Sequence, residues 1–276
     1  MMDAFLDKWK SYKTADFELK ELVDPESVAT SSFEVQDSLH SAFWSTEGKL
    51  DPKVRKRLIR IAKNFIKDLE LSELEIEDLT FTGSLANYNW SKYSDIDLHI
   101  IVDFSALEGD QELLNNYFNA KRAYWNMKHA IMMHDFEVEI YVQDSNEPHT
   151  ASGLYSVYFD EWINTPQKQD PVIDHTNIKV KAAALMDQID TAQEMFNDGA
   201  YKKVIEYVEK LREKIKKFRT SGLNNGGEYS IENLAFKALR RNGYLGKLSD
   251  LRIASYDELM SLHPEMITIL VGEDAG

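Results

Sequence analysis

The sequence predicts an α+β protein, in which a sheet flanked by helices is followed by an all-helical C-terminal domain. Three observations predict it. Two stretches, 95–102 and 135–143, alternate apolar and polar residues with the period of two that a strand imposes. Apolar residues at helical spacing fill the stretch before the first strand and the stretch between the two. From Asp174 onward every patterned stretch has helical spacing.

Taken in order, residues 1–50 read as an N-terminal extension with short helices at Ala4–Tyr12 and Phe33–Phe43. Asp51-Pro52 is a helix start, an Asp cap with Pro at the first helical position. Val54, Leu58, Ile61, Ala62, Phe65 and Leu69 then fall on one face, suited to the back of a sheet. Leu79–Thr82 reads as a strand, Gly83-Ser84 as a turn, Leu85–Asn89 as one helical turn and Trp90–Ser94 as a loop. In the strand from Asp95 to Val102, Asp95, Asp97 and His99 share one face, while Ile96, Leu98, Ile100 and Val102 share the other.

Ala106–Met132 reads as a long helix, and Asp135–Gln143 as a second strand of the same kind. In that strand Phe136, Val138, Ile140 and Val142 oppose Glu137, Glu139, Tyr141 and Gln143. Residues 146–173, with three prolines, read as an irregular connection holding a strand near Leu154–Phe159. The helices expected beyond it are Val180–Phe196, Tyr201–Phe218, Ser230–Arg241 and Leu248–Leu262, with a glycine-rich loop at Thr220–Tyr229. The domain boundaries expected are therefore 1–50, 51–145, 146–173 and 174–276.

Composition narrows the function. The chain has 276 residues, is 43% hydrophobic and 29% charged, and contains no cysteine, which excludes disulfides and thiolate metal sites and points to a reducing cytoplasm. The first residues, MMDAFLDKWKSYK, hold no apolar run long enough for a signal peptide or membrane span, so no membrane partner is expected. A net charge of −15 disfavours broad nucleic-acid binding. The charge is uneven: residues 201–252 carry thirteen Lys/Arg against six acids, a net +7, so the remainder carries −22.

Two carboxylates on one strand face repel by roughly 4 kcal/mol at about 4 Å, and a chain that pairs them commonly has a cation there. All-oxygen ligands suit Mg²⁺ or Mn²⁺. A Gly-Ser turn offers backbone N–H groups and a hydroxyl to a phosphate. Taken together, these features suggest phosphoryl or nucleotidyl transfer.

Gly83-Ser84, ten intervening residues, then Asp95-Ile96-Asp97-Leu98, with a later Val138-Glu139-Ile140, resembles the signature of the DNA polymerase beta-like nucleotidyltransferase superfamily. The resemblance covers about residues 52–143. It implies a mixed sheet flanked by helices and makes 51–145 the catalytic domain. It further implies that Asp95, Asp97 and Glu139 hold divalent cations, with Glu139 completing the metal site or taking the acceptor's proton. Gly83 and Ser84 would hold the outer phosphates, with Lys92 beside them. The substrate would be a nucleoside triphosphate such as ATP, with an RNA end, a protein or a small molecule as acceptor. Glu137 shares Glu139's face and competes for the third carboxylate.

His99 reads as a hydrogen-bonded sheet histidine or a base. The arginine common after the family's turn is missing here. Lys202, Lys203, Arg240 and Arg241 are alternative sources of positive charge, or simply solvated helix faces. Tyr201, Tyr207 and Tyr229 would stack a base or fill helix core. The competing reading is a catalytically silent module of this fold, an antitoxin partner or nucleotide sensor. A metal-dependent phosphohydrolase is weaker, because no histidine cluster other than His99 accompanies the acids.

Overall fold

A computed structural model describes residues 22–69, 74–107, 109–148 and 151–262. The expected helix at Ala4–Tyr12 and the tail from Val271 lie outside the described residues. The chain divides into two compact units, one spanning Ser31–Ile173 and the other joining the N-terminal residues through Thr30 to Asp174 and beyond.

The first unit is built on a mixed six-stranded sheet: β1 (Asp78–Thr82), β2 (Ile96–Val102), β3 (Met132–Met133), β4 (Phe136–Asp144), β5 (Leu154–Ser156) and β6 (Glu161–Asn164). The spatial order is β3-β4-β2-β1-β5-β6, with β2 and β4 parallel and every other pair antiparallel. This mixed sheet with flanking helices is the α+β architecture expected, and it is compatible with a nucleotidyltransferase-like fold. Register places Phe81, Leu98 and Ile140 in one row across the sheet, with Leu79, Ile100 and Val142 in the next. All but Val142 are fully buried.

Helix α1 (Pro52–Asp68) begins where Asp51 Oδ1 accepts the N–H groups of Lys53 and Val54 at 2.8 and 3.0 Å. It buries Val54, Leu58, Ile61, Ala62 and Phe65, each contributing on the order of 1–3 kcal/mol. Helix α2 (Gln111–Lys128) buries Phe118 and Trp125, and Trp125 meets Phe65 edge-on at 5.5 Å.

Several boundaries differ from expectation. The long helix does not run from Ala106 to Met132. Asp110 caps it at Leu113 N, so it starts at Gln111, and it stops at Lys128. Met132–Met133 instead forms a hairpin with Phe136–Glu137, turning through His134 and Asp135, both with positive φ (49° and 67°). Phe33–Phe43 is not a helix but a chain of bends and turns. Phe43, Trp44 and Leu50 enter the sheet's core, and Trp44 stacks on Trp162 at 4.5 Å. The segment 146–173 supplies β5 and β6, and β5 pairs directly with β1. Its irregular look comes from short strands whose partners lie far away in sequence.

The second unit consists of α3 (His175–Asn197), α4 (Tyr201–Gly226), α5 (Ile231–Arg241) and α6 (Tyr244–Met260) packed on one another. Asp174 caps α3, which starts at His175, five residues before the expected Val180. Helix α4 runs through most of the expected glycine-rich loop. Gly222 explains why: a Cβ there would come within 2.5 Å of Glu232 Cβ and 2.7 Å of Ser230 Oγ, so this turn needs glycine for close packing on α5. The helix ends at Gly227, in the left-handed region at φ 68°. Among the described residues no helix is long and apolar enough to cross a membrane.

Candidate active site

The polar face of the sheet is ordered by register. Thr82, Asp97 and Glu139 lie side by side on β1, β2 and β4. Thr80, His99 and Tyr141 form the next row, extended by Ser156 on β5. Asp95 stands in the residue just before β2 and is partly exposed, as are Asp97 and Glu139. The sequence left Glu137 and Glu139 as rivals. Glu139 is Asp97's direct partner, whereas Glu137 is exposed and pairs with Met132 on the β3 side.

Gly83 closes one end of the first row. Its φ is 78°, and a Cβ built there would overlap Oδ2 of Asp97. The carboxylate therefore lies directly against the turn, an approach only glycine permits. Ser84 is oriented by its own loop. Its Oγ is 2.6 Å from Ser94 Oγ, which also accepts the N–H of Ser91 at 3.0 Å. That link ties the turn after β1 to the residue preceding Asp95. Lys92 is exposed in the intervening loop, with its ammonium 5.1 Å from the Tyr93 ring centre.

Glu139 is fixed by a neighbour not assigned a role from the sequence. Tyr141 O–H donates to Glu139 Oε2 at 2.6 Å. Burial, with that hydrogen bond and the charges of Glu139 and Asp97 adding to it, pushes the Tyr141 phenol well above its ordinary value, so it stays a donor. Arg122 of α2 lies over its ring at 4.4 Å, and His99 stacks on the ring at 4.9 Å. His99 Nδ1–H donates to Gln143 Oε1 at 2.8 Å, the hydrogen-bonded sheet histidine of the simpler expectation. Tyr141's role had a signal in the sequence, since it lies two residues from Glu139 on the same strand face. Arg122 had none, because only tertiary packing brings it there.

The acidic row offers oxygen donors only, the set that suits Mg²⁺ or Mn²⁺, and Gly83 leaves the space Asp97 occupies. In donor chemistry alone, the carboxylates of Asp95, Asp97 and Glu139 suit a hard divalent cation. Among the described residues no group of three or more His, Cys, Asp or Glu is gathered to hold a metal ion.

The basic residues singled out earlier belong to the helical unit. Lys202 and Lys203 are exposed in the first turn of α4, and Arg240 and Arg241 end α5. Tyr201 packs on Phe196 at 5.2 Å, and burial pushes Tyr229 up to about 12.

No protein-family model and no curated protein matches the chain. One similar solved structure is that of a STING-associated CdnE c-di-GMP synthase from Capnocytophaga granulosa. The likeness covers 94% of each chain at 11% identity, with a TM-score of 0.20, a superposition too loose to argue from.

Proposed function

We propose that this protein is a metal-dependent nucleotidyltransferase that moves a nucleoside monophosphate from a nucleoside triphosphate to a hydroxyl acceptor. The observation that carries this reading is the row Thr82–Asp97–Glu139, with the Asp97 carboxylate laid against Gly83. Asp95, Asp97 and Glu139 would hold Mg²⁺ or Mn²⁺. When bound, the cation would polarise the α-phosphate and offset charge on the departing pyrophosphate.

The chain's own groups have defined tasks. Backbone N–H groups around Gly83 and Ser84 would bind the outer phosphates, and Lys92 lies close enough in sequence to add a charge. Tyr141 occupies one oxygen of Glu139 and leaves the other to accept the proton of the attacking hydroxyl. The bond formed would join the acceptor oxygen to the α-phosphorus and the bond to pyrophosphate would break, with the proton passing to Glu139 where Asp95 and Asp97 alone hold the cation, or to solvent where Glu139 completes the cation site. The acceptor's class is left to the same experiment: an RNA end, a protein hydroxyl or a small molecule.

The test is incubation with α-labelled ATP, CTP, GTP and UTP and either cation, following pyrophosphate and the fate of the label. The Asp95→Asn, Asp97→Asn double variant should lose at least about 10²-fold in rate. Equal behaviour of the two proteins under every condition would leave the silent binding module as the surviving reading.

A further inference from the structure

We infer that the helical unit carries a binding site for a small organic phosphate, in a cavity of about 470 Å³ among α4, α5 and α6. The site is built from one stripe of α4. Arg212, Lys216 and Arg219 recur at i, i+4 and i+7 and line one side. Leu223 continues the same stripe of α4, Phe236 of α5 and Leu245 and Leu248 of α6 supply an apolar side, and Thr220 and Ser249 also line the cavity. None of the lining residues comes from the acidic row on the sheet.

Charge makes this cavity unusual for its chain. The lining holds three cations and no acid, in a protein whose net charge is −15. Neither Arg212 nor Lys216 has an ion-pair partner among the described residues, and both are exposed. Arg219 is positioned by the protein: its guanidinium lies 4.3 Å over the Phe236 ring, and its Nε–H donates to Asn233 Oδ1 at 3.3 Å. That uses one of five N–H donors and leaves the terminal fork for a ligand. Burial lowers the Arg219 pKa, and Arg240 adds to the effect. Burial likewise lowers that of Lys237, with Arg241, Arg240 and Arg219 adding repulsion and Glu228 opposing it.

The ligand class follows from shape and charge. The volume lies in the range of small-molecule sites, roughly 300–1,000 Å³. Three cations suit a group carrying about two negative charges, and a phosphate monoester carries about −1.5 to −2 near neutral pH. Phe236, Leu245 and Leu248, from α5 and α6, are apolar, so the body of the ligand should be apolar. Inorganic phosphate would satisfy only half of the cavity.

The test is calorimetric titration of the whole chain in EDTA with 1-naphthyl phosphate, with inorganic phosphate and 2-naphthol as controls. No nucleotide or divalent cation is present, so the outcome is independent of the transfer reading. Saturable binding of 1-naphthyl phosphate, tighter than either control, is expected. The Arg212→Gln, Lys216→Gln variant should weaken it about tenfold or more, since two positive charges facing the phosphate are lost. The Lys210→Gln, Lys217→Gln variant removes the same charge from exposed positions of α4 outside the cavity and should leave affinity within about twofold. Absence of binding, inorganic phosphate binding equally well, or equal weakening by the two variants overturns the site.

Discussion

The two units place charge by opposite means. On the sheet, backbone pairing sets the spacing: Asp97 faces Glu139 because β2 and β4 are hydrogen-bonded in that register. Two like charges are held side by side, and the Tyr141 hydroxyl holds one oxygen of Glu139. In the helical unit, charge comes from long side chains on one stripe of α4, of which Arg212 and Lys216 are exposed and Arg219 is held by Phe236 and Asn233. The sheet therefore presents an acidic row fixed by register, and the helices a basic stripe in which Arg219 is held and Arg212 and Lys216 are adaptable. Rigid placement suits the reacting atoms, where small errors are costly. Adaptable cations suit binding, where several geometries serve equally.

Disrupting the sheet's back face should have the largest effect. Phe81 is fully buried, and Phe81→Ala should cost about 3–5 kcal/mol, read as a fall in the denaturation midpoint and as loss of amide protection in 78–102. Comparable opening in α4 and α5 would show that the two units do not have separate cores.

Gly83→Ala is expected next. It forces a side chain into the left-handed region and onto the Asp97 carboxylate, at a cost of about 1–3 kcal/mol. Transfer activity should fall much further than stability does, because Asp97 must move. A variant with unchanged metal affinity would contradict the close approach.

Tyr141→Phe removes one donor while keeping the ring stack with His99 and Arg122. Loss of a hydrogen bond to a charged group corresponds to about 1.5–3 kcal/mol, so activity should drop roughly tenfold or more with the fold intact. Because Tyr141 positions Glu139, the pH–rate profile should shift as well. A rate change with no shift in the profile would assign Tyr141 a structural role only.

The smallest effect concerns pH. His40 packs edge-on against Trp90 and Phe136, and burial, with His134 nearby, holds its pKa below the ordinary value. The unfolded chain therefore binds the proton more readily, and stability falls as pH drops below about 6.5, the loss levelling off beneath His40's own lowered value. His40→Gln should flatten that slope in thermal melts between pH 7 and 5. An unchanged slope would place the dependence elsewhere.

The strands were legible because a period of two over 95–102 and 135–143 is short-range information. It fixed which residues share a face, and the register then pairs Asp97 with Glu139. What escaped was tertiary. Nothing local marks Arg122 as a neighbour of Tyr141, or β5 as a partner of β1. Helix α4 outran its expected end because Gly222 is there for close packing on α5, whereas composition alone reads glycine as a loop. The stripe Arg212, Lys216, Arg219 was visible as a basic helix face, but its cavity exists only once α5 and α6 supply the opposite wall.

The central claim, that the acidic row is a metal-binding catalytic site, is tested most directly by titrating the isotopically labelled protein with Mn²⁺ and following backbone resonances. At sub-stoichiometric Mn²⁺, signals of Gly83, Asp97 and Glu139 should broaden first, and Asp97→Asn should abolish that selectivity. Broadening that spares these three residues, or that survives Asp97→Asn unchanged, would contradict the claim.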